Sequence, residues 1–209
     1  MCYSAESSIT SFLIGGLLSL YLILFSKNNT NKHVGLFLFS VCLIQLLEYL
    51  MWIDQDCGWK NDIASRSIML VLSLQLYTIF LGAYIYKTTI LPINILKIIL
   101  TIITPFFIYY GFKDYFEKNK KWCTKPNEDS SLQWVNHNGP EILTYVYYFI
   151  FLVSPFMVKE LWKGLVILIF GLITFIFTRY KNVLTSNSRW CYFSSFIPIV
   201  FVLLDILGK

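Results

Sequence analysis

Apolar residues run along this chain in blocks close to 20 residues long, broken by short polar stretches. A helical block of that length matches a bilayer core about 30 Å thick. The blocks predict seven transmembrane helices, over residues 9–25, 34–53, 63–86, 90–112, 142–158, 161–178 and 190–207. Helix is the required conformation, because a bilayer offers unpaired backbone groups no water to bond. Most connections are short, so sequence neighbours are expected to be antiparallel neighbours in space. Lys159-Glu160 is the shortest link, and Pro155 is a kink site in the fifth helix. The exception is residues 113–141, with KNKKWCTKPNEDSS and VNHNGPE, which read as a polar, mostly surface-lying loop. The expected fold is all-α, a single-domain integral membrane bundle of seven transmembrane helices with the lipid bilayer as its first partner.

Composition agrees with the pattern. The 209 residues are 56% hydrophobic and 14% charged, where a soluble domain carries about 25% charged residues. No basic segment precedes the first block and no small-residue cleavage site follows it, so it is expected to remain as a helix and not as a cleaved signal peptide. The net charge of +5 is spread between helices. It therefore reads as a topology signal and not as a nucleic-acid surface.

Seven spans put the termini on opposite sides of the membrane. Cys2, Cys57, Cys123 and Cys191 then all fall on the N-terminal side, three of them beside tryptophan, while Cys42 lies inside the second helix as a small buried apolar residue. In an oxidising compartment Cys57 with Cys123 is the natural disulfide. In the cytosol the four are free thiols or soft metal ligands, although no compact CxxC element supports a metal. Lys60, Arg66, Lys113, Lys118, Lys120, Lys121, Lys125, Arg179, Lys181 and Arg189 lie on the N-terminal side, against Lys27, Lys32, Lys87, Lys159, Lys163 and Lys209 on the other. That bias favours a cytosolic N-terminus, and it opposes the disulfide argument. The one glycosylation sequon, Asn28-Asn29-Thr30, sits on the far side in a short loop.

Polar residues inside the spans carry the candidate chemistry. Gln45, Glu48 and Trp52 share one face of the second helix at spacings of three and four. Glu48 lies roughly 8 Å from the helix end at 1.5 Å per residue. A buried acid at that depth needs a partner, and Arg66, opening the third helix, is the nearest in sequence. A protonated Glu48 bonded to Gln45 or to a serine is the alternative. Gln75 should face protein, whereas Lys97 and Asp205 read as structural. The opening MCYSAESS lies in the same layer as Glu48. Ser7 or Ser8 is expected to cap the first helix and Glu6 to meet its positive dipole end.

Three motifs, Met1-Cys2-Tyr3-Ser4-Ala5-x-x-Ser8, Gln45-x-x-Glu48-x-x-x-Trp52 and Ser188-x-Trp190-Cys191, resemble an uncharacterised family of small polytopic membrane proteins found in bacteria, algae and large DNA viruses. The resemblance implies a polytopic fold in which these positions act together, and it brings no reaction. Other seven-helix classes fit poorly. A retinal protein needs a lysine in mid seventh helix, and WCYFSSFIPIVFVLLDILGK has none before Lys209. The zinc amidohydrolases resembling alkaline ceramidases need several intramembrane histidines, whereas His33 and His137 both read as loop residues. The same shortage argues against a Ser-His-Asp hydrolase.

Three functions follow. The first is transport, channel activity or small-ligand or ion binding, at a polar site built from Ser4, Ser8, Gln45, Glu48, Trp52, Arg66 and Trp190. The second is a structural or envelope-shaping protein that uses the same residues as interhelical glue. The third is a thiol-dependent enzyme using Cys2 or Cys191, with no base visible beside either. Enzyme activity is the less favoured reading, no catalytic set is assigned, and neither a cofactor nor a metal is expected. Oligomeric state leaves no mark on the sequence.

Overall fold

The computed structural model describes residues 4–117, 120–128, 131–134, 149, 152–181 and 185–208. It is a helical bundle with one small hairpin. The helices are α1 (Ala5–Phe25), α2 (Asn29–Trp52), α3 (Trp59–Tyr86), α4 (Ile93–Phe116), α5 (Leu161–Lys181), α6 (Ser186–Ser194) and α7 (Ile197–Ile206). Strands β1 (Lys125–Pro126) and β2 (Leu132–Gln133) pair antiparallel, with Lys125 opposite Gln133 and Pro126 opposite Leu132. Among the described residues six segments are long and apolar enough to cross a membrane: α1 to α5, and α6 with α7 taken together. The protein thus has the build of an integral, multi-pass membrane protein.

The expected helix over 142–158 lies mostly outside the described residues. Of it, Phe149, Leu152 and Val153 are described and helical, followed by a single 3-10 turn, Ser154–Met157, ahead of Val158. The chain around it is well anchored. Trp134 bonds Glu48 near the C-terminal end of α2. Val158 bridges Thr89, just past the C-terminal end of α3, and the Lys159 amide donates to the Thr88 carbonyl at 2.6 Å. Because α2 and α3 are antiparallel, those two anchor points lie at opposite ends of the bundle.

Helix boundaries differ from the pattern where capping decides them. Helix α1 starts at Ala5, four residues early, because Ser4 and not Ser7 or Ser8 is the cap: its Oγ accepts from the Ser7 amide at 3.2 Å. Helix α2 starts at Asn29 because the Asn28 side chain accepts from the Thr30 and Asn31 amides. That shift draws His33 out of its expected loop into the helix, where it is buried. The last expected helix is broken at Ser195-Phe196. Pro198 has no N–H to give to the preceding turn, so the chain restarts as α7.

The centre of the bundle is α2, which packs on α1, α3, α6 and α7. In its most apolar 18-residue window 61% of residues are buried, against 11% for α4, which lies at the periphery. Helix α1 docks through small residues, Ser8, Ser11, Gly15 and Ser19. A Cβ on Gly15 would stand 2.1 Å from the Ser195 carbonyl oxygen and 2.6 Å from Cys42 Sγ. Such close approach is how membrane helices gain contact without a hydrophobic driving force.

The segment after α4 corrects the expectation of a surface-lying loop. Trp122, Thr124, Ser131 and Leu132 are all buried, and the segment folds back over the α2–α3 turn as a cap. Cys57 and Cys123 form a disulfide, with Cα atoms 5.3 Å apart. Asp54 caps α3 by accepting from the amides of Gly58, Lys60 and Asn61. These N–H bonds, that of Asn61 foremost, hold its carboxyl below the usual range.

Candidate functional site

Glu48 sits one turn from the C-terminal end of α2 and is wholly buried, as is Gln45 one turn before it. The Gln45 side-chain amide donates to one Glu48 oxygen at 2.8 Å. The Trp134 indole, carried in by the hairpin, donates to the other at 3.0 Å. The Ser188 hydroxyl, from α6, faces this carboxyl. Gln45 is oriented in turn by Ser11 on α1, whose hydroxyl reaches its carbonyl oxygen at 3.1 Å and the Ser8 carbonyl at 3.0 Å. Side chains from α1, α2, α6 and the cap therefore converge on one carboxyl. The described residues bring it no cationic partner: their ion pairs are Arg66–Asp62 and Lys163–Glu160.

The structure sorts the candidate residues accordingly. Gln45 and Glu48 form the centre. Ser8 is buried one turn from Ser11, and among the described residues neither its hydroxyl nor the buried Trp52 indole nitrogen has a hydrogen-bond partner. Ser4 is the α1 cap. Trp190 is turned away: its indole donates to the Gly171 carbonyl at 3.0 Å and locks α6 onto α5. Arg66 is not the partner of Glu48. It forms a bidentate pair with Asp62, at 2.8 and 3.2 Å, and donates to the carbonyls of Asp114, Glu117 and Lys120. Its spacing from Asp62, i to i+4 on one helix, makes that partner nearer than any residue on α2.

The cysteines separate too. Cys57 and Cys123 are the disulfide, while Cys42 and Cys191 are free and buried. Cys2 lies outside the described residues, as does His137. Among the described residues no group of three or more His, Cys, Asp or Glu side chains is arranged to hold a metal.

Sequence reasoning passed over Ser11, Ser188 as a ligand, and Trp134. Ser11 was legible in principle as the next small residue on the α1 stripe. Trp134 left a fainter signal, the turn-rich PNEDSS followed by alternating Leu132-Gln133-Trp134.

A second polar cluster lies at the opposite end. His33 Nδ1 is 2.8 Å from the Thr88 hydroxyl and Nε2 is 2.8 Å from the Ile79 carbonyl. A carbonyl only accepts, so Nε2 carries the proton and Nδ1 accepts from Thr88. Nearby, Asp205 accepts from Ser26 and from the Asn31 side chain at 2.7 Å, not from Lys97.

Comparison with protein-family models, with curated proteins and with solved structures yields no match.

Proposed function

We propose that this chain is a multi-pass membrane protein that binds a proton at Glu48, in an occluded site near its N-terminal end, as part of transport. The supporting observation is a wholly buried carboxyl whose partners are all neutral. An ionised carboxylate without a counter-charge is costly in that setting. A proton or a small cation would remove the cost. Among the described residues the groups nearest the carboxyl are N–H donors, which repel a cation, while the Ser188 hydroxyl, or Gln45 after an amide flip, can accept a hydrogen bond from a protonated acid. Neither the crevice beside Cys191 nor that beside His33 is lined by Glu48, which accords with an occluded state.

In reconstituted vesicles carrying a pH-sensitive dye, an imposed gradient should relax faster with the wild-type protein than with Glu48→Gln. The variant should match protein-free vesicles. Equal relaxation in wild type and variant, or none above background in either, overturns the reading.

The finer architecture belongs to the same proposal. Anchoring of Trp134 and Val158 at opposite ends supports a seventh crossing between them, as the apolar pattern requires. Termini on opposite sides follow. The Cys57–Cys123 disulfide supports an N-terminal face in an oxidising compartment, against the Lys/Arg bias, four of whose ten N-terminal-side residues follow α4. The sequon gives no contrary signal, since Asn28 is spent as a helix cap and Thr30 is buried. The three motifs still support kinship with the small polytopic family.

A structural role is the second reading, favoured by the close packing at Gly15 and Gly35. Under it Glu48→Gln changes folded yield and no flux. A thiol enzyme gains no support: Cys191 is 1% exposed.

A further inference from the structure

We infer that the end of the bundle opposite Glu48 carries a binding site for a small monovalent cation of the sodium class, built from Asp205, Asn31 and Ser26. The site lies apart from Glu48 and does not rest on the transport reading.

Three helix ends meet there. Ser26 caps the C-terminal end of α1, Asn31 stands in the first turn of α2, and Asp205 stands in the last turn of α7. Asp205 is half-buried, while Ser26 and Asn31 are 3% and 0% exposed. The bonds from Ser26 and from Asn31 Nδ2 both end on one Asp205 oxygen, Oδ1, and leave Oδ2 open to a ligand. Asn31 Oδ1, the other end of the same amide, is buried and has no hydrogen-bond partner among the described residues. A flip of the amide does not relieve it, because the carbonyl would then face the carboxylate and the N–H groups would be stranded. The bond made by its own nitrogen thus holds the orphan oxygen beside the carboxyl. Leaving a buried acceptor unmatched is costly, and a cation shared with Asp205 removes that cost.

Charge favours a cation over a water at this place. Helices α1 and α7 both present their C-terminal, negative ends. The positive end of α2 is already occupied, since Asn28 Oδ1 accepts from the Thr30 and Asn31 amides. Glu160, the other acid nearby, is paired with Lys163 at 2.8 Å and faces the Asn28 and Thr30 side chains. Among the described residues no cation pairs with Asp205. One carboxylate with neutral oxygens around it suits a hard cation of single charge, because divalent ions are held by more acidic oxygen sets.

The test is binding of radioactive sodium to the full chain in nanodiscs, read by scintillation proximity, beside thermal unfolding in sodium chloride and in choline chloride at equal ionic strength. Wild type should bind sodium saturably and melt at a higher temperature in sodium, because a ligand of the folded state stabilises it. Asp205→Asn keeps an acceptor for Ser26 and removes the charge. It should weaken sodium binding about tenfold, the loss that follows removal of one charged contact. Asn31→Asp keeps an oxygen at the orphan position and supplies a second carboxylate. It should melt below wild type in choline chloride and be recovered by calcium. No saturable binding in wild type overturns the site and leaves Asn31 to a buried water. Binding unchanged in Asp205→Asn also overturns it, and loss in Glu48→Gln instead would move the cation to the other end of α2. If Asp205→Asn does not fold, failure of calcium to raise the melting temperature of Asn31→Asp overturns the site in its place. Neither readout involves proton flux, so the cation site stands or falls without the Glu48 reading.

Discussion

Glu48 and His33 lie on the same helix, both buried and both fully bonded, yet their surroundings have opposite characters. His33 is held by a backbone carbonyl, which fixes its tautomer, and by a hydroxyl two residues from the end of α3. Even the space for its ring is cut from backbone, since a Cβ on Gly82 would stand 2.3 Å from His33 Cδ2. The Nε2 bond to the Ile79 carbonyl cannot change partner without moving a helix, and of the two bonds only that from Thr88 is made by a rotatable group. Glu48 is met only by side chains, from its own helix, from α6 and from a cap outside the bundle. Burial is the same in both cases, and what differs is whether the partners can rearrange. A buried polar group held by backbone is a staple between helices, whereas one held by rotatable donors is suited to gaining and losing a proton.

The largest expected effect breaks the staple. Gly82→Ala should cost about 3 kcal/mol, at the upper end for overpacking, because its methyl meets a ring that has no free rotamer. Unfolding of the purified protein in mixed micelles would measure it. Adding His33→Ala should recover part of the loss, and a further loss in the double variant would contradict the fit described.

The next contrast sharpens the Glu48 side. Glu48→Leu strands the donors of Gln45, Trp134 and Ser188 and should cost about 2 kcal/mol. Glu48→Gln should cost well under that, because Gln45 can flip. Its carbonyl then accepts from the new amide, and its amide is taken by the Ser11 hydroxyl, which goes on donating to the Ser8 carbonyl. Ser11→Ala alone should cost about 0.6 kcal/mol, the usual worth of such a membrane hydrogen bond. In the Glu48→Gln background it should cost more, and strict additivity in this cycle would rule out the flip.

The smallest effect lies outside the membrane. Asp54 has its folded-state carboxyl depressed by the amides it caps. Its contribution is therefore fully present above the unfolded carboxyl value, about 3.9, and is lost as pH falls through the lower folded value. Asp54→Asn should flatten the acid limb of a thermal melt series below that pH and leave neutral stability little changed. An identical acid limb would remove the cap from the stability of the α2–α3 turn.

Much of the helical framework was legible in the apolar blocks, since length and continuous hydrophobicity are local properties. Helix starts were less so: the pattern offered Ser7 or Ser8 as the cap of α1, and only geometry chose Ser4. The acid and its glutamine were legible because charge inside a span is rare at any position. The donors facing them were not, because Ser188 and Trp134 lie 140 and 86 residues from Glu48 along the chain. Arg66 misled for the same reason, being near Glu48 in sequence and nearer still to Asp62 on its own helix.

Composition and period thus determined the long apolar helices, their membrane character and the intramembrane acid, all of which follow from side-chain polarity and 1.5 Å of rise per residue. Tertiary structure decided that a polar loop becomes a cap, that its tryptophan reaches the acid and that the arginine does not. Those outcomes depend on which segments meet across the bundle, and hydrogen-bond partners far apart in the chain leave no periodic trace in it.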